Sequence, residues 1–385
     1  MVQQRPDASL DNDAYVLSPY ELATFLAYTY TGSTPDDELL QAAADNALTT
    51  DAQLQAHIDR LLLTSKAREH FGEFAAQWLR TDRVVSVVKD TNVFPDFTLD
   101  VRQAMAQEVR EIFKHVMFDG NQPIDNLYGD FTFLNSDLAT FYGISGNYNN
   151  TFTKIDGLND RGGILTSGAF MTGFANQSET SPIQRAVSVR EDMMCQTVPP
   201  MPTDLDILRD DAANSLEAYI QSQGGIISNR ERYHFLTKDV PCSDCHKEII
   251  NPHGFGMEDF DAVGRARLVD ANDLLIDADG QLIGLSALND GDVRSFVGAK
   301  QLSSHLQGLP ATRSCFVQKS FRYVMGTGHD EFEHGNSSGP QLSNAEKAGY
   351  SCTLNVMNDA MSAANYNPRQ ALRTLGVRDI VRYRK

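Results

Sequence analysis

Ser18-Pro19-Tyr20-Glu21-Leu22-Ala23-Thr24-Phe25-Leu26-Ala27-Tyr28-Thr29-Tyr30-Thr31-Gly32 reads as a helix with both ends marked. Ser18 is a capping residue, Pro19 takes the first helical position, and Glu21 completes a capping box. Leu22, Phe25, Leu26 and Tyr30 recur at helical spacing, and Gly32 stops the run. The same grammar continues over the first 145 residues. Thr34-Pro35-Asp36-Asp37-Glu38 starts a second helix, with acidic residues where the dipole favours them. Leu54, Ile58, Leu61 and Leu62 mark a third, and Phe71, Phe74, Ala75 and Trp78 a fourth. Val101, Met105, Val109, Ile112, Val116 and Met117 form a long stripe closed by Gly120. Asn135 caps a short helix bearing Leu138, Phe141 and Tyr142. Stripes of this kind build core, so the expected fold is mainly α, a multi-helix architecture.

From 145 to 180 the chain is rich in Gly, Asn and Thr and reads as a linker with irregular loops. Ser181-Pro182-Ile183-Gln184 repeats the capping signature and opens a helix to about Cys195, which Val198-Pro199-Pro200-Met201-Pro202 stops. Another helix is expected around Leu216 to Ile220. Arg267-Leu268-Val269 and Leu274-Leu275-Ile276 flank Asp/Asn-rich turns, and Asp279-Gly280 precedes Gln281-Leu282-Ile283, which is a small β-hairpin pattern. Helical spacing returns at Phe296–Leu306, Cys315–Met325, Ser351–Ala364 and Pro368–Leu375. No repeat of 20–50 residues is visible.

Composition narrows the function. The 385 residues include 33 Lys plus Arg against 51 Asp plus Glu, a net charge of −18. Such a chain has no general affinity for nucleic acid or anionic lipid. It has no run of 18 apolar residues, and hence no expected transmembrane segment. Met1-Val2-Gln3-Gln4-Arg5-Pro6-Asp7 has no apolar core like that of a signal peptide, which leaves either a cytoplasmic chain or an export segment already removed. Five cysteines, at 195, 242, 245, 315 and 352, fall short of the density of a small disulfide scaffold.

Two of those cysteines lie in Cys242-Ser243-Asp244-Cys245-His246. This is C-x-x-C-H, the attachment signal of c-type haem. Two thiols three apart on one helical turn can each add to a porphyrin vinyl group. The following His then lies beneath the iron as proximal ligand. A zinc half-site would want a second Cys/His pair at the usual spacing, and none is present. A thioredoxin-like redox pair would want a βαβ context, which is also absent. In Asn251-Pro252-His253-Gly254 a backbone carbonyl is expected to accept the Nδ1–H of His246. Arg265 and Arg267 are candidate partners for haem propionates, which suit a guanidinium fork. Glu258, Asp259 and Asp261 form an acidic cluster, expected to cap a turn, with a docking edge for a basic donor as the alternative. Asp277-x-Asp279-Gly280 resembles part of a calcium loop but has Leu288 where the bidentate Glu belongs, so a hairpin turn is expected.

The chain resembles a family of c-type haem proteins built from consecutive domains of unknown function, DUF1595, DUF1592, DUF1588 and DUF1585. Leu17-Ser18-Pro19-Tyr20-Glu21-Leu22-Ala23 and Thr34-Pro35-Asp36-Asp37-Glu38-Leu39-Leu40 are similar to its opening module. Phe74-Ala75-Ala76-Gln77-Trp78-Leu79, Phe133-Leu134-Asn135 and Tyr142-Gly143-Ile144 are similar to the second. The third is matched by Arg161-Gly162-Gly163-Ile164-Leu165-Thr166, Ser181-Pro182, Arg185, the Cys242 to His246 motif, Gly254-Phe255-Gly256-Met257-Glu258-Asp259-Phe260-Asp261 and Gly264-Arg265. Phe321-Arg322-Tyr323-Val324-Met325-Gly326 resembles the last, with Gly326-Thr327-Gly328 in place of a usual Gly-Arg. The resemblance implies one covalently bound haem c and export to the periplasm or beyond, with a lipid anchor as an option. It supplies no substrate. It also implies a His near position 234, eight residues before Cys242, and eight residues can span about 26 Å, enough to pass round a haem edge.

The expected organisation has three parts: 1–145, a helical N-terminal domain; 146–285, a haem-binding domain with the hairpin; and 286–385, a helical domain packing on the haem domain. His246 is the expected iron ligand, with His234 as the leading second ligand and Met257, Met325, His253, His305 and His329 as alternatives. The expected function is electron transfer with a redox partner protein or a small-molecule donor or acceptor. A haem enzyme of peroxidase or oxygenase type with an open axial position, and a scaffold with structural haem, remain as alternatives. Among Cys195, Cys315 and Cys352 one disulfide is expected, with Cys315 and Cys352 favoured because both lie on C-terminal helices.

Overall fold

The helix boundaries follow the caps. In the computed structural model, which describes residues 15–198, 209–283, 293–326 and 343–384, the Ser18 hydroxyl accepts from the Glu21 N–H and the Glu21 carboxylate accepts from the Ser18 N–H at 2.9 Å. Helix α1 spans Pro19–Thr31 and ends on Gly32 in the left-handed conformation. Then come α2 (Asp37–Ala44), α3 (Asp51–Leu62), α4 (Ser65–Trp78), α5 (Leu99–Phe118) and α6 (Ser136–Tyr142), the last capped by Asn135. Short helices α7 (Gly168–Gly173) and α8 (Pro182–Ser188) precede α9 (Arg209–Ser222), α10 (Asn229–Thr237), α11 (Cys242–Cys245) and α12 (Asn251–Phe255). The chain finishes with α13 (Gly298–Leu306), α14 (Pro310–Met325), α15 (Asn344–Ala363) and α16 (Pro368–Leu375). The fold is mainly α.

Among the described residues, three two-stranded antiparallel sheets complete it. Strands β1 (Tyr15–Val16) and β6 (Tyr383–Arg384) join the two ends of the described chain. Strands β2 (Phe131–Leu134) and β3 (Thr153–Asp156) pair Phe131 with Asp156. Strand β4 (Asp279–Leu282) pairs with β5 (Arg294–Val297), Gly280 opposite Phe296. The expected hairpin is therefore divided. Its first half is a single bridge between Val269 and Leu275, and Gln281-Leu282 pairs with a later strand. Residues 199–202, Leu288, Thr327, Gly328 and His329 lie outside the described residues.

The aromatic core of the N-terminal helices is built from Phe74, Trp78 and Phe113. Phe316 of α14 joins it, with ring centroids 5.9 Å apart for Trp78 and Phe316. Tyr30 of α1 donates to the Leu372 carbonyl of α16 at 2.8 Å. So α14 and α16 pack on the N-terminal helices, while β5 and α13 pack on the middle of the chain, where the Ala299 N–H donates to Asp259.

The segment read as a loose linker is core. Residues 161–174 are all buried. The glycines there serve close packing: a Cβ on Gly163, which has φ of +69°, would come within 2.6 Å of the Leu127 carbonyl oxygen. The same segment fastens the middle of the chain to the N-terminal helices. Arg161, fully buried, donates to the carbonyls of Thr166 and Gly264 and stacks 3.6 Å from the Tyr142 ring centroid. Tyr142 in turn donates to buried Glu108, which also accepts from Thr132 at 2.6 Å. Burial pushes the Glu108 carboxyl up, against the nearby Arg161 charge and these hydrogen bonds.

The disulfide joins Cys195 to Cys315, with Cα atoms 5.1 Å apart, and not Cys315 to Cys352. Cys315 faces inward from α14 beside the end of the α8 segment, whereas Cys352 lies on the exposed side of α15 as a free thiol. The bond closes a sequence separation of 120 residues, for which the chain-entropy model gives about 4–5 kcal/mol. A non-reducing digest is expected to yield one cross-linked peptide carrying Cys195 and Cys315, with Cys352 open to alkylation. A peptide linking Cys315 to Cys352 would refute the assignment.

Candidate functional site

The motif residues occupy one helical turn and a widened one. Helix α11 presents Cys242 and Cys245, both free and half-buried. His246–Ile250 then forms a π-type turn in which the Asn251 N–H donates to the His246 carbonyl. That extra residue per turn brings position 251 back to the face of position 246. Arg190, at the end of the α8 segment, supports the wide turn by donating from Nε to the Ile249 carbonyl at 2.6 Å.

This geometry sets the tautomer of His246. The Thr237 hydroxyl donates its single proton to the Tyr233 carbonyl at 2.7 Å. It must therefore accept from the Asn251 amide NH₂, which lies 2.8 Å away. The Asn251 carbonyl oxygen then faces the imidazole, 3.0 Å from Nδ1. Nδ1 accordingly carries the proton, and the lone pair sits on Nε2, which has no hydrogen-bond partner among the described residues. The expected acceptor was a backbone carbonyl; the acceptor is the Asn251 side chain instead, because residues 251–255 continue as helix α12 rather than as a turn.

Helix α12 is seated by two contacts with α8. Gly254 packs on it so closely that a Cβ would come 2.5 Å from the Pro182 carbonyl oxygen. His253 donates from Nε2 to the Ala186 carbonyl at 3.0 Å. The loop after α12 is gripped by Arg185, fully buried, whose guanidinium donates to the carbonyls of Met257 (2.7 Å), Phe260 (2.9 Å), Met171 (3.0 Å) and Asp261 (2.6 Å). Burial pulls it down to about 10, so it stays charged at neutral pH.

The remaining candidates are placed as follows. His234 is exposed and lines a cleft of about 890 Å³ together with Thr237, Lys247 and Asn251. His253 is buried against α8. Met257 lies in the hydrophobic core. His305 bonds the Ser295 carbonyl at 3.2 Å, and Met325 sits at the end of α14. Arg265 pairs with Asp96 (2.9 Å) and Asp261 (3.1 Å), and Arg267 with Glu258 (3.3 Å). Glu258 also accepts from Thr180 and Asn229, and Asp261 accepts from the backbone of Val263 and Arg265. The acidic cluster thus organises its own loop. Thr237, Asn251, Arg185 and Arg190 carry much of the site. Of these, Arg185 belongs to the match with the third module and Asn251 to the stretch after His246, whereas Thr237 and Arg190 carry no local mark in the sequence.

Two family models match. Residues 17–144 match PSD4, a protein of unknown function (DUF1592), and residues 161–270 match PSCyt3, a protein of unknown function (DUF1588). The chain thus matches two domains of unknown function in succession, DUF1592 and then DUF1588. The motifs at 17–40, read as a separate opening module, fall inside the DUF1592 match. The Glu108–Tyr142–Arg161 contacts thus join one module to the next. No curated protein and no solved structure matches.

Two outcomes follow. Arg185→Met takes the guanidinium from four carbonyls, of which Met257 and Asp261 keep only a long backbone donor, and should lower unfolding free energy by about 3 kcal/mol in urea titration; an unchanged midpoint would contradict the clamp. His253 is held down to about 3 by burial, from 6.5. As pH falls below 6.5 the unfolded chain binds a proton that the folded chain refuses, so stability falls by about 1.4 kcal/mol per unit towards pH 3. Asp259, raised to about 6 by burial from 3.8, acts in the opposite direction: its folded form binds a proton first, restoring some stability as pH drops from 6 to 3.8. His253→Gln should flatten the acid loss between pH 6.5 and 4, measured by urea unfolding at successive pH values.

Proposed function

We propose that this chain is an exported monohaem c-type cytochrome that transfers electrons, with haem c joined to Cys242 and Cys245 and His246 as axial ligand. The supporting observation is the directed hydrogen-bond chain from Tyr233 through Thr237 and Asn251, which leaves the lone pair of His246 on Nε2. An axial imidazole needs that tautomer, and its Nδ1–H needs an acceptor. The donor set fits: two free thiols on one turn and the imidazole directly after them. Among the described residues no three of His, Cys, Asp and Glu come together as a metal-binding group; a closed zinc set requires one, whereas a porphyrin iron requires one imidazole.

When bound, the haem supplies a one-electron carrier. Asn251 holds the Nδ1 proton and fixes the ring's orientation, and Arg190 holds the backbone on which that ring is mounted. The Cys195–Cys315 bond suits an oxidising compartment, consistent with export to the periplasm or the cell exterior. Among the described residues no helix is long and apolar enough to cross a membrane. In this reading His234, which is exposed, would be the second side chain offered to the iron.

A haem enzyme of peroxidase or oxygenase type is the second reading. It is favoured by the commitment of His253 and His305 to carbonyls and of Met257 to the core, which leaves few side chains to close the iron. Intact mass after expression with c-type haem maturation should exceed the bare polypeptide by one haem, and Cys242→Ala with Cys245→Ala should abolish the gain. The reduced spectrum should be low-spin and unchanged by carbon monoxide, and His234→Ala should alter the spin state. A rapid carbon monoxide adduct of the unaltered protein would favour the enzyme; colourless protein of bare mass would end both readings.

A further inference from the structure

The acceptor that faces His246 carries no charge. The Asn251 side-chain oxygen lies 3.0 Å from Nδ1, and its amide NH₂ is committed to Thr237 at 2.8 Å. A carboxylate in the same place would draw the Nδ1 proton towards itself and make the ring more basic at Nε2. An amide draws it far less. The carboxylates nearest to the motif in sequence, Asp244 and Glu248, are exposed, where water and salt screen them.

The buried charge behind the same turn is positive. Arg190 is 3% exposed. Its guanidinium donates to the Ile249 carbonyl at 2.6 Å, to the Gln196 side chain at 2.8 Å and to the Ile283 carbonyl at 2.7 Å. None of these acceptors is charged. Burial pulls Arg190 down to about 10, so it keeps its proton at neutral pH. Its field reaches α12, where, after burial itself, it disfavours protonation of His253. The imidazole of His246 thus has a neutral acceptor at its edge and an uncompensated cation behind the turn that carries it.

We propose that Asn251 and Arg190 raise the reduction potential of the iron that His246 would hold, Asn251 by leaving the imidazole neutral and Arg190 by its unneutralised charge. The inference rests on reading Cys242 to His246 as the haem attachment site. Both are positioning residues and neither is offered as an iron ligand. A weakly basic axial ligand and a nearby buried cation each favour the ferrous over the ferric state. The arrangement serves an electron carrier better than a centre that cleaves O–O bonds, which benefits from a strongly donating ligand.

The test is potentiometric titration of the matured protein and of Asn251→Asp, Arg190→Gln and Arg190→Lys, each first checked for haem by intact mass. Asn251→Asp should raise the ferric-to-ferrous ratio at fixed potential about tenfold, a fall of about 59 mV for one electron. Arg190→Gln should raise it about threefold. Arg190→Lys keeps the charge but loses the fork of donors, and should leave the ratio near that of the unaltered protein. A merely structural role for Arg190 would make its two variants shift alike. The two positions test the idea independently should one variant fail to mature. If haem is attached and Asn251→Asp leaves the ratio unmoved or lowers it, or Arg190→Lys shifts it as far as Arg190→Gln, the inference is wrong and the attachment stands. If the unaltered protein carries no haem, both fall.

Discussion

The buried guanidinium of Arg185 is the constraint on which the site depends. A cation this deep needs acceptors around it, and both terminal nitrogens are engaged twice, while Nε has no hydrogen-bond partner among the described residues. Its four bonds go to backbone carbonyls on two sides of the molecule: Met171 before it in sequence, and Met257, Phe260 and Asp261 after the Cys242 to His246 motif. Backbone acceptors cannot swing away as side chains do. The clamp therefore holds the loop after α12 against α8, α12 is held with it, and Asn251 begins α12. The position of the imidazole partner is thus set by a charge several side chains away.

Arg161 does for the module junction what Arg185 does for the loop. It stacks on Tyr142 from the first module and donates to Gly264 from the second, while Tyr142 passes on to Glu108. The two modules share one apolar core through this polar seam. With the Cys195–Cys315 bond and the Tyr30–Leu372 contact, the last helices are tied into the same body, and the site rests on a broad foundation rather than on a tethered lobe.

Local chemistry was legible in the sequence wherever it is local in space. Ser18, Glu21, Gly32 and Asn135 marked helix ends because a cap acts within four residues. The thiols and imidazole of Cys242 to His246 were legible for the same reason. The stretch from 161 to 174 was misread because glycine signals both looseness and tight packing, and only neighbours such as Leu127 distinguish them. The partner of Cys315 was misread because a shared helical region says nothing of which face each cysteine takes. Thr237 as an anchor, and the prior engagement of Arg265 and Arg267, are long-range facts with no local mark.

The π-type turn from His246 to Asn251 acts as a ruler. An ordinary α turn over the same stretch would rotate residue 251 away from the ring and bring 250 in its place, and Ile250 offers no acceptor. Loss of one residue between 246 and 251 would preserve helix content and leave C-x-x-C-H intact to the eye, yet strand the imidazole. Exchanges at the exposed Lys247 and Glu248 leave this spacing untouched. For the hydrogen bond to His246, then, the number of residues between the two anchors matters more than the identity of these two intervening ones.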